Sequence, residues 1–137
     1  MADPVGLTAA SSSLGVLALR SAKVLFEYIS RYRDYPHAVQ HLRTEVHGIM
    51  LVLQQIEKMR LDDSVLAELE PILNGCHVTC SGLQQVIMRC TARNGGTKPS
   101  FQDWAKMEFL GGTINDLQET LKGYKGTITI IIASISM

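Results

Sequence analysis

The sequence predicts an all-α fold, an up-and-down antiparallel bundle of four to five helices. Two observations lead to this prediction: apolar residues recur at alternating spacings of three and four along most of the chain, and no segment that could pair as a strand alternates with period two. The chain has 137 residues, of which 46% are hydrophobic and 19% are charged, which is enough material for one hydrophobic core. We therefore expect a single helical bundle domain over residues 1–137.

The first helix is expected to begin at Asp3 and Pro4. An aspartate can accept the free N–H groups of the first turn, and proline at the first helical position loses no hydrogen bond. The apolar and small residues continue to about Arg33, and Pro36 then disfavours helical geometry at the residue before it. A turn should follow this helix.

Small and uncharged residues dominate the start of this helix. Residues 4–19 carry no charge, and Gly, Ala and Ser are interspersed with the apolar residues. Small residues let helix backbones approach closely, both in soluble bundles and in lipid. Two interpretations stay open, namely close packing inside the bundle, and membrane insertion or self-assembly on activation. The candidate membrane or assembly residues are Leu7, Leu14, Gly15, Leu17 and Ala18.

The second helix has a narrow apolar stripe. From Val39 to Ile56 the apolar positions are separated by 3, 4, 3, 4 and 3 residues, which follows one side of an α-helix. This stripe predicts that the residues between those two ends face the core. They are Leu42, Val46, Ile49 and Leu53.

The third helix is predicted from its cap and from a longer stripe. Asp62, Asp63 and Ser64 supply residues that cap helix N-termini, and a stripe of threes and fours then continues to Cys90. Pro71 removes one backbone hydrogen bond, so it should kink this helix or divide it. The predicted core residues are Leu73, Cys80, Leu83 and Ile87.

The last part of the chain has a loop followed by a further stripe. Residues 92–100 form the predicted loop, and apolar spacings of three and four then run from Trp104 to Ile135, with a possible break at residues 111–112. Residues 127–132 are all Thr or Ile, which favours a strand locally. We predict a helix, because a strand needs a partner strand and the sequence offers none. The predicted core residues are Trp104, Leu117, Leu121 and Ile128.

Charge and termini exclude several classes of protein. The 13 basic residues are balanced by 13 acidic residues, so the chain lacks the concentrated positive charge of a nucleic-acid-binding protein. Residues 1–4 have no positive charge of the kind that opens a secretory signal, which predicts a cytosolic location. The three cysteines are odd in number and share one predicted helix, so a disulfide framework is not expected.

No catalytic, cofactor-binding or metal-ligating residue is predicted. Cys76 and Cys80 have the i, i+4 spacing of two zinc ligands, but both lie on the apolar stripe and no further ligands are evident. His37 and His41 repeat that spacing without the glutamate of a metalloprotease helix. The serines lack the motif of an activated nucleophile, and the apolar stripes offer few polar residues to line a ligand cavity.

Several segments resemble one family of fungal N-terminal helical domains. They are residues 1–7 (MADPVGL), residues 14–19 (LGVLAL) and the region from Trp104 to Ile128. That family is found in front of nucleotide-binding STAND or NACHT modules and ankyrin repeats, and also in a protein of azaphilone pigment clusters. It is similar to the HeLo-like bundles of fungal incompatibility and cell-death proteins.

The resemblance implies a non-enzymatic effector or adaptor domain of an intracellular receptor. Its expected partners are other proteins or further copies of itself, with contact to a membrane on activation, and it implies no cofactor. In physical terms, the bundle would sequester the uncharged first helix until oligomerisation releases it. The alternative is a soluble interaction scaffold that recruits another helical domain and never contacts lipid.

Overall fold

The computed structural model describes the backbone of residues 4–31, 37–91 and 111–136. Its helices are α1 (Pro4–Ser30), α2 (His37–Lys58), α3 (Asp63–Thr91) and α4 (Gly111–Ser136). These described ranges contain no strand. The predicted all-α bundle is therefore confirmed, while the predicted loop at residues 92–100 and the core position predicted for Trp104 lie outside the described residues.

In cross-section the four described helices lie at the corners of a square, with α1 diagonal to α4 and α2 diagonal to α3. Both α1 and α4 pack against α2 and α3, whereas no Cα atoms within 8 Å join α1 to α4, or α2 to α3, in the described ranges. The short connection at residues 59–62 therefore links two diagonal helices. Contacts of Phe26 with His47 and of Ser30 with Arg43 show that α1 and α2 run antiparallel.

Helix α1 turns a row of small and aliphatic residues towards the core. Ala18, Ala22, Leu25 and Ile29 are buried at spacings of 4, 3 and 4. The helix ends at Ser30, earlier than the predicted end near residue 33. The last described turn closes with a backbone hydrogen bond of 3.3 Å from Arg31 to the residue three positions earlier.

Helix α2 buries the stripe that the sequence indicates. All of its predicted core residues are at most 1% exposed, and the stripe continues to Ile56. The buried residues of the prediction are Leu42, Val46, Ile49 and Leu53. A backbone hydrogen bond of 3.0 Å from Met59 to Ile56 closes the C-terminal end. The apolar residues at alternating spacings of three and four therefore lie on the side of α2 that the other helices cover.

Helix α3 begins at the predicted cap. The Asp62 carboxylate accepts a hydrogen bond of 3.0 Å from the Val65 backbone N–H and one of 2.7 Å from the Ser64 hydroxyl. These bonds, led by the one from Val65, lower the pKa of Asp62 from its ordinary 3.8. The helix continues through Pro71 without division. Its buried residues include the four predicted ones, Leu73, Cys80, Leu83 and Ile87.

Helix α4 is helical through the isoleucine-rich segment, as predicted. Leu121 and Ile128 are buried together with Ile132, while Leu117 is partly buried against the core. Exposed threonine hydroxyls that flank this row donate hydrogen bonds to carbonyl oxygens four residues earlier, at distances of 2.7–3.0 Å. These bonds satisfy the polar threonine groups within the helix, and burial of the apolar row outweighs the local preference for strand.

Candidate assembly surface on the first helix

Helix α1 has large apolar side chains on the side that faces away from the core. Val16, Leu17 and Val24 are 44%, 43% and 40% exposed. On the inner side, Ala18 and Ala22 are fully buried. The helix therefore has apolar side chains on both sides, with alanines, Leu25 and Ile29 inside and Val16, Leu17 and Val24 outside. We call Val16, Leu17 and Val24 the outer apolar row.

The candidate assembly residues taken from the sequence do not share one face. Gly15 and Ala18 are buried, Leu14 is partly buried against the core, and Leu17 is exposed. The side chain of Leu7 lies outside the described residues, although its backbone is helical. Leu17 of the outer apolar row was among the residues predicted from the sequence, whereas Val16 and Val24 were not. Nothing in the spacing of a uniformly apolar segment indicates which side turns outward.

Short side chains allow α1 to approach its neighbours closely. A Cβ atom at Gly15 would lie 3.8 Å from the Glu57 carboxylate of α2, which is ordinary van der Waals contact. Glycine and alanine at the buried positions of α1 bring its backbone near α2 and α3. Close backbone approach through small residues is a general mode of helix packing.

Polar and aromatic contacts hold the C-terminal part of α1 against α2. The Phe26 ring lies 5.3 Å from the His47 ring, and the Arg43 guanidinium lies 4.7 Å from the centre of the Phe26 ring. Arg43 also donates a hydrogen bond of 2.9 Å from Nε to the hydroxyl of Ser30. These contacts combine a cation–π interaction with a hydrogen bond between the two helices.

One hydrogen bond joins α1 to α3. The Ser21 hydroxyl and Nδ1 of His77 are 2.5 Å apart in a partly buried position. A serine beside a histidine is the first element of an activated nucleophile, but such a site also needs a group that orients the histidine. In the described part of the chain, no carboxylate hydrogen-bonds to His77. The pair therefore serves as a tie between two helices.

The cysteine pair of α3 faces the core. Cys76 and Cys80 are free thiols, and burial raises the pKa of each to about 12. Both are therefore protonated at neutral pH and pack as small apolar groups. Among the described residues, no group of three or more His, Cys, Asp or Glu side chains could hold a metal ion.

Helix α4 is held by two adjacent residues that reach different neighbours. Lys125 makes an ion pair of 3.0 Å with Glu45 of α2, and its side chain passes over Gly48. Tyr124 lies over Gly75 of α3, where a Cβ atom would collide with the tyrosine ring. Glycine at both positions leaves the space that the side chains of α4 occupy.

The geometry defines the class of this protein as a helical bundle domain, with four helices in residues 4–31, 37–91 and 111–136. Its described polar contacts tie helices together, and its first helix keeps an apolar row on the outside. Over residues 2–137 the chain matches the family described as "Pigment biosynthesis cluster protein PigL N-terminal", and it belongs to that family. This membership agrees with the expected fungal N-terminal helical domain. No curated protein and no solved structure matches the chain.

The described helices differ from membrane-spanning helices. None of those in residues 4–31, 37–91 and 111–136 has both the length and the apolarity that crossing a membrane requires. Arg20 and Lys23 lie between Leu17 and Val24 of the outer apolar row, directly after the uncharged residues 4–19.

Proposed function

We propose that the chain is a non-catalytic assembly domain that binds a helical partner through the outer side of α1. The partner is a second copy of the chain or another helical domain. The outer apolar row is the observation that carries this proposal. Helices α2 and α3 cover the inner side of α1, whereas Val16, Leu17 and Val24 stay exposed, and adjoining exposed apolar side chains are typical of interaction sites.

The arrangement of polar side chains supports a role without catalysis. Ser21 and His77 bond to each other across two helices, and Glu45 and Lys125 pair across two others. The thiols of Cys76 and Cys80 are buried and protonated, so they are poor nucleophiles. Each of these groups is used in packing or in linking helices.

A more specific role follows from the resemblance to STAND-associated and HeLo-like domains. We propose that the chain is the effector or adaptor domain of a fungal NLR-like receptor, in which assembly leads to membrane-targeted cell-death signalling. Membership of the pigment cluster family and the uncharged residues 4–19 support this role. A nucleotide-binding module encoded directly downstream would strengthen the proposal, and a downstream sequence of unrelated composition would count against it.

The assembly proposal is tested by replacing one leucine on α1 and a matched leucine on α2. Leu17→Glu places a charge in the outer apolar row, and Leu51→Glu does the same at a residue that is 52% exposed on α2. Light scattering after size-exclusion chromatography gives the oligomeric state of each variant. We expect Leu17→Glu to weaken association and Leu51→Glu to leave it unchanged. Equal behaviour of the two variants would overturn the assignment of α1.

A liposome leakage assay separates the two forms of the proposal. The membrane role predicts that a forced oligomer releases a vesicle-encapsulated dye and that Leu17→Glu abolishes the release. The scaffold role predicts a soluble assembly that ignores vesicles. Leu17 is the better target than Leu14, because Leu14 also packs against the core and its replacement would disturb folding.

A further inference from the structure

Helix α4 contains a segment whose residues favour a strand. Residues 127–132 are all threonine or isoleucine, and residues 126–137 carry neither a charge nor a proline. Branched side chains of this kind lose rotamer freedom in a helix and fit the surface of a pleated strand. Six uncharged residues of high strand propensity are also typical of sequences that stack into cross-β assemblies. We call residues 127–132 the Thr/Ile segment.

A helix and a strand place the isoleucines of this segment differently. In α4, Ile128 and Ile132 are buried in the core, whereas Ile130 between them is 71% exposed. Side chains of a strand alternate between its two faces, so Ile128, Ile130 and Ile132 would share one face. We call this arrangement the isoleucine face. The strand therefore brings together three isoleucines, of which the helix buries only two.

Two glycines weaken α4 just before the Thr/Ile segment. A Cβ atom at Gly123 or Gly126 would meet no atom within 4 Å, and neither glycine has a positive φ. Neither close packing nor backbone geometry therefore requires glycine at these positions. Glycine in the interior of a helix nevertheless lowers the stability of that helix relative to alanine. Helix α4 thus contains two residues that favour its unfolding and that its packing does not need.

Contacts with α2 and α3 keep this part of α4 helical. Ile128 and Ile132 are buried in the core, and Tyr124 lies over Gly75 of α3. Lys125, the last charged residue of the sequence, pairs with Glu45 of α2 at 3.0 Å. Since local propensity opposes the helix, its stability in this region depends on these contacts between helices. Separation of α4 from the bundle would therefore remove what favours the helix over the strand.

We propose that the Thr/Ile segment is a second assembly site, which converts from helix to strand when α4 separates from the bundle and then stacks with the same segment of further copies. A second copy is the partner because residues 4–31, 37–91 and 111–136 contain no strand with which it could pair. Stacked copies satisfy each other's backbone groups and enclose the isoleucine face. This inference goes beyond the proposed function, because it joins copies through an unfolded α4 and not through the folded α1.

Replacement of Ile130 tests the stacking step. Ile130→Lys leaves the core intact, because this residue is exposed in the helix, but it places a charge on the isoleucine face of every stacked strand. Leu51→Lys, at a residue that is 52% exposed on α2, is the matched control. The full chain is incubated in urea at the onset of unfolding, and each variant is compared at the concentration that unfolds the same fraction of chains. Thioflavin T fluorescence and infrared spectra then measure the formation of β-structure.

We expect the unmodified chain and Leu51→Lys to form β-rich fibres at similar rates, and Ile130→Lys to form them roughly tenfold or more slowly. The release of α4 is tested separately, at one fixed urea concentration. Gly123→Ala combined with Gly126→Ala strengthens the helix and should slow fibre formation roughly tenfold. Gly82→Ala, which also places its methyl group in open space but on α3, is the control and should have little effect.

The possible failures are distinguishable. Fibres that form equally fast in Ile130→Lys would overturn the Thr/Ile segment as the stacking site, and a chain that gains no β-structure at any urea concentration would overturn the conversion itself. Equal slowing by Gly82→Ala would show that the whole bundle unfolds first and would overturn the separate release of α4. Leu17→Glu should weaken association of folded chains without slowing fibre formation, so failure of the α1 assignment and failure of this inference give different results.

Discussion

Helices α1 and α4 occupy diagonal corners and pack on the same two helices, but they do so in different ways. The buried side of α1 includes Ala18 and Ala22, which bring the backbone close to its neighbours. In contrast, α4 extends Tyr124 and Lys125 into space left by glycines on the supporting helices. For α1 the small residues lie on the helix itself, whereas for α4 they are glycines on the two helices that it packs against.

The side chains of α4 that reach its neighbours stabilise the bundle, whereas the exposed side chains of α1 are available for binding a partner. Tyr124 and Lys125 contact α3 and α2 respectively, so they fix the position of α4 between both supports. The small side chains of α1 allow close packing, while its larger Leu17 and Val24 stay outside. We infer that Tyr124 and Lys125 fix α4 on its two supports, and that α1 has a second surface available for a partner.

The largest expected effect concerns the interior of α4. Leu121 is fully buried, so Leu121→Ala should lower the free energy of unfolding by about 2–5 kcal/mol through lost transfer energy and a cavity. Ile130 on the same helix is 71% exposed, and Ile130→Ala should change stability by no more than about 0.5 kcal/mol. Urea unfolding measures both variants. Similar losses would contradict the assigned inner and outer sides of α4.

The next largest loss of stability is expected at Gly75, where the lack of a side chain leaves space for the ring of Tyr124. Gly75→Ala should destabilise by about 1–3 kcal/mol, because the new methyl group collides with the tyrosine ring. Gly82 lies on the same helix with no atom within 4 Å of a Cβ position, so Gly82→Ala should stabilise by up to about 1 kcal/mol. Thermal unfolding compares the two. The loss should shrink when Tyr124→Ala is added to Gly75→Ala, and a loss that persisted would place the cause elsewhere.

A third prediction tests the small inner side of α1. Ala18 is fully buried, so Ala18→Leu should push α1 away from its neighbours and destabilise by about 1–3 kcal/mol. The adjacent Leu17→Ala should change the stability of the monomer by no more than about 0.5 kcal/mol, because Leu17 faces outward. Urea unfolding at low protein concentration provides the measurement. Tolerance of leucine at position 18 would show that close approach of α1 is not required.

The smallest expected effect is at the start of α3, the helix that supports both α1 and α4. The pKa of Asp62 is lowered in the folded chain, so its carboxylate contributes stability above pH 3.8 and loses it as the pH falls through the lowered value. Asp62→Ala should therefore reduce the melting temperature at neutral pH, with a difference that narrows in acid. Asp62→Asn is the control, since asparagine also caps helices and does not titrate. A pH-independent difference would contradict the carboxylate cap.

The spacing of apolar residues was sufficient to predict the buried side of a helix that has one apolar stripe. In α2, Leu42 and Ile49 belong to a narrow stripe, and that stripe is buried. The cap at Asp62 was likewise predictable, because the side chain bonds only to residues close to it in sequence. The helical state of the final isoleucines followed from register and from the lack of a partner strand.

The spacing of apolar residues was insufficient to predict which side of α1 is buried. Apolar and small residues surround that helix over residues 4–19, so Leu17 and Ala18 looked equivalent in the sequence although one is exposed and the other is buried. The roles of Gly48 and Gly75 were also invisible, since each depends on a side chain from α4 that is distant along the chain.

The sequence by itself determined where helices form and, for α2 and α3, which side of each is apolar, because both properties depend on residues within a few turns. Only the tertiary structure decided that α2 and α3 are diagonal, that α4 fits over two glycines, and that α1 leaves Leu17 and Val24 outside. These features arise from packing between distant segments, where the sizes of facing side chains select among arrangements that local periodicity allows equally.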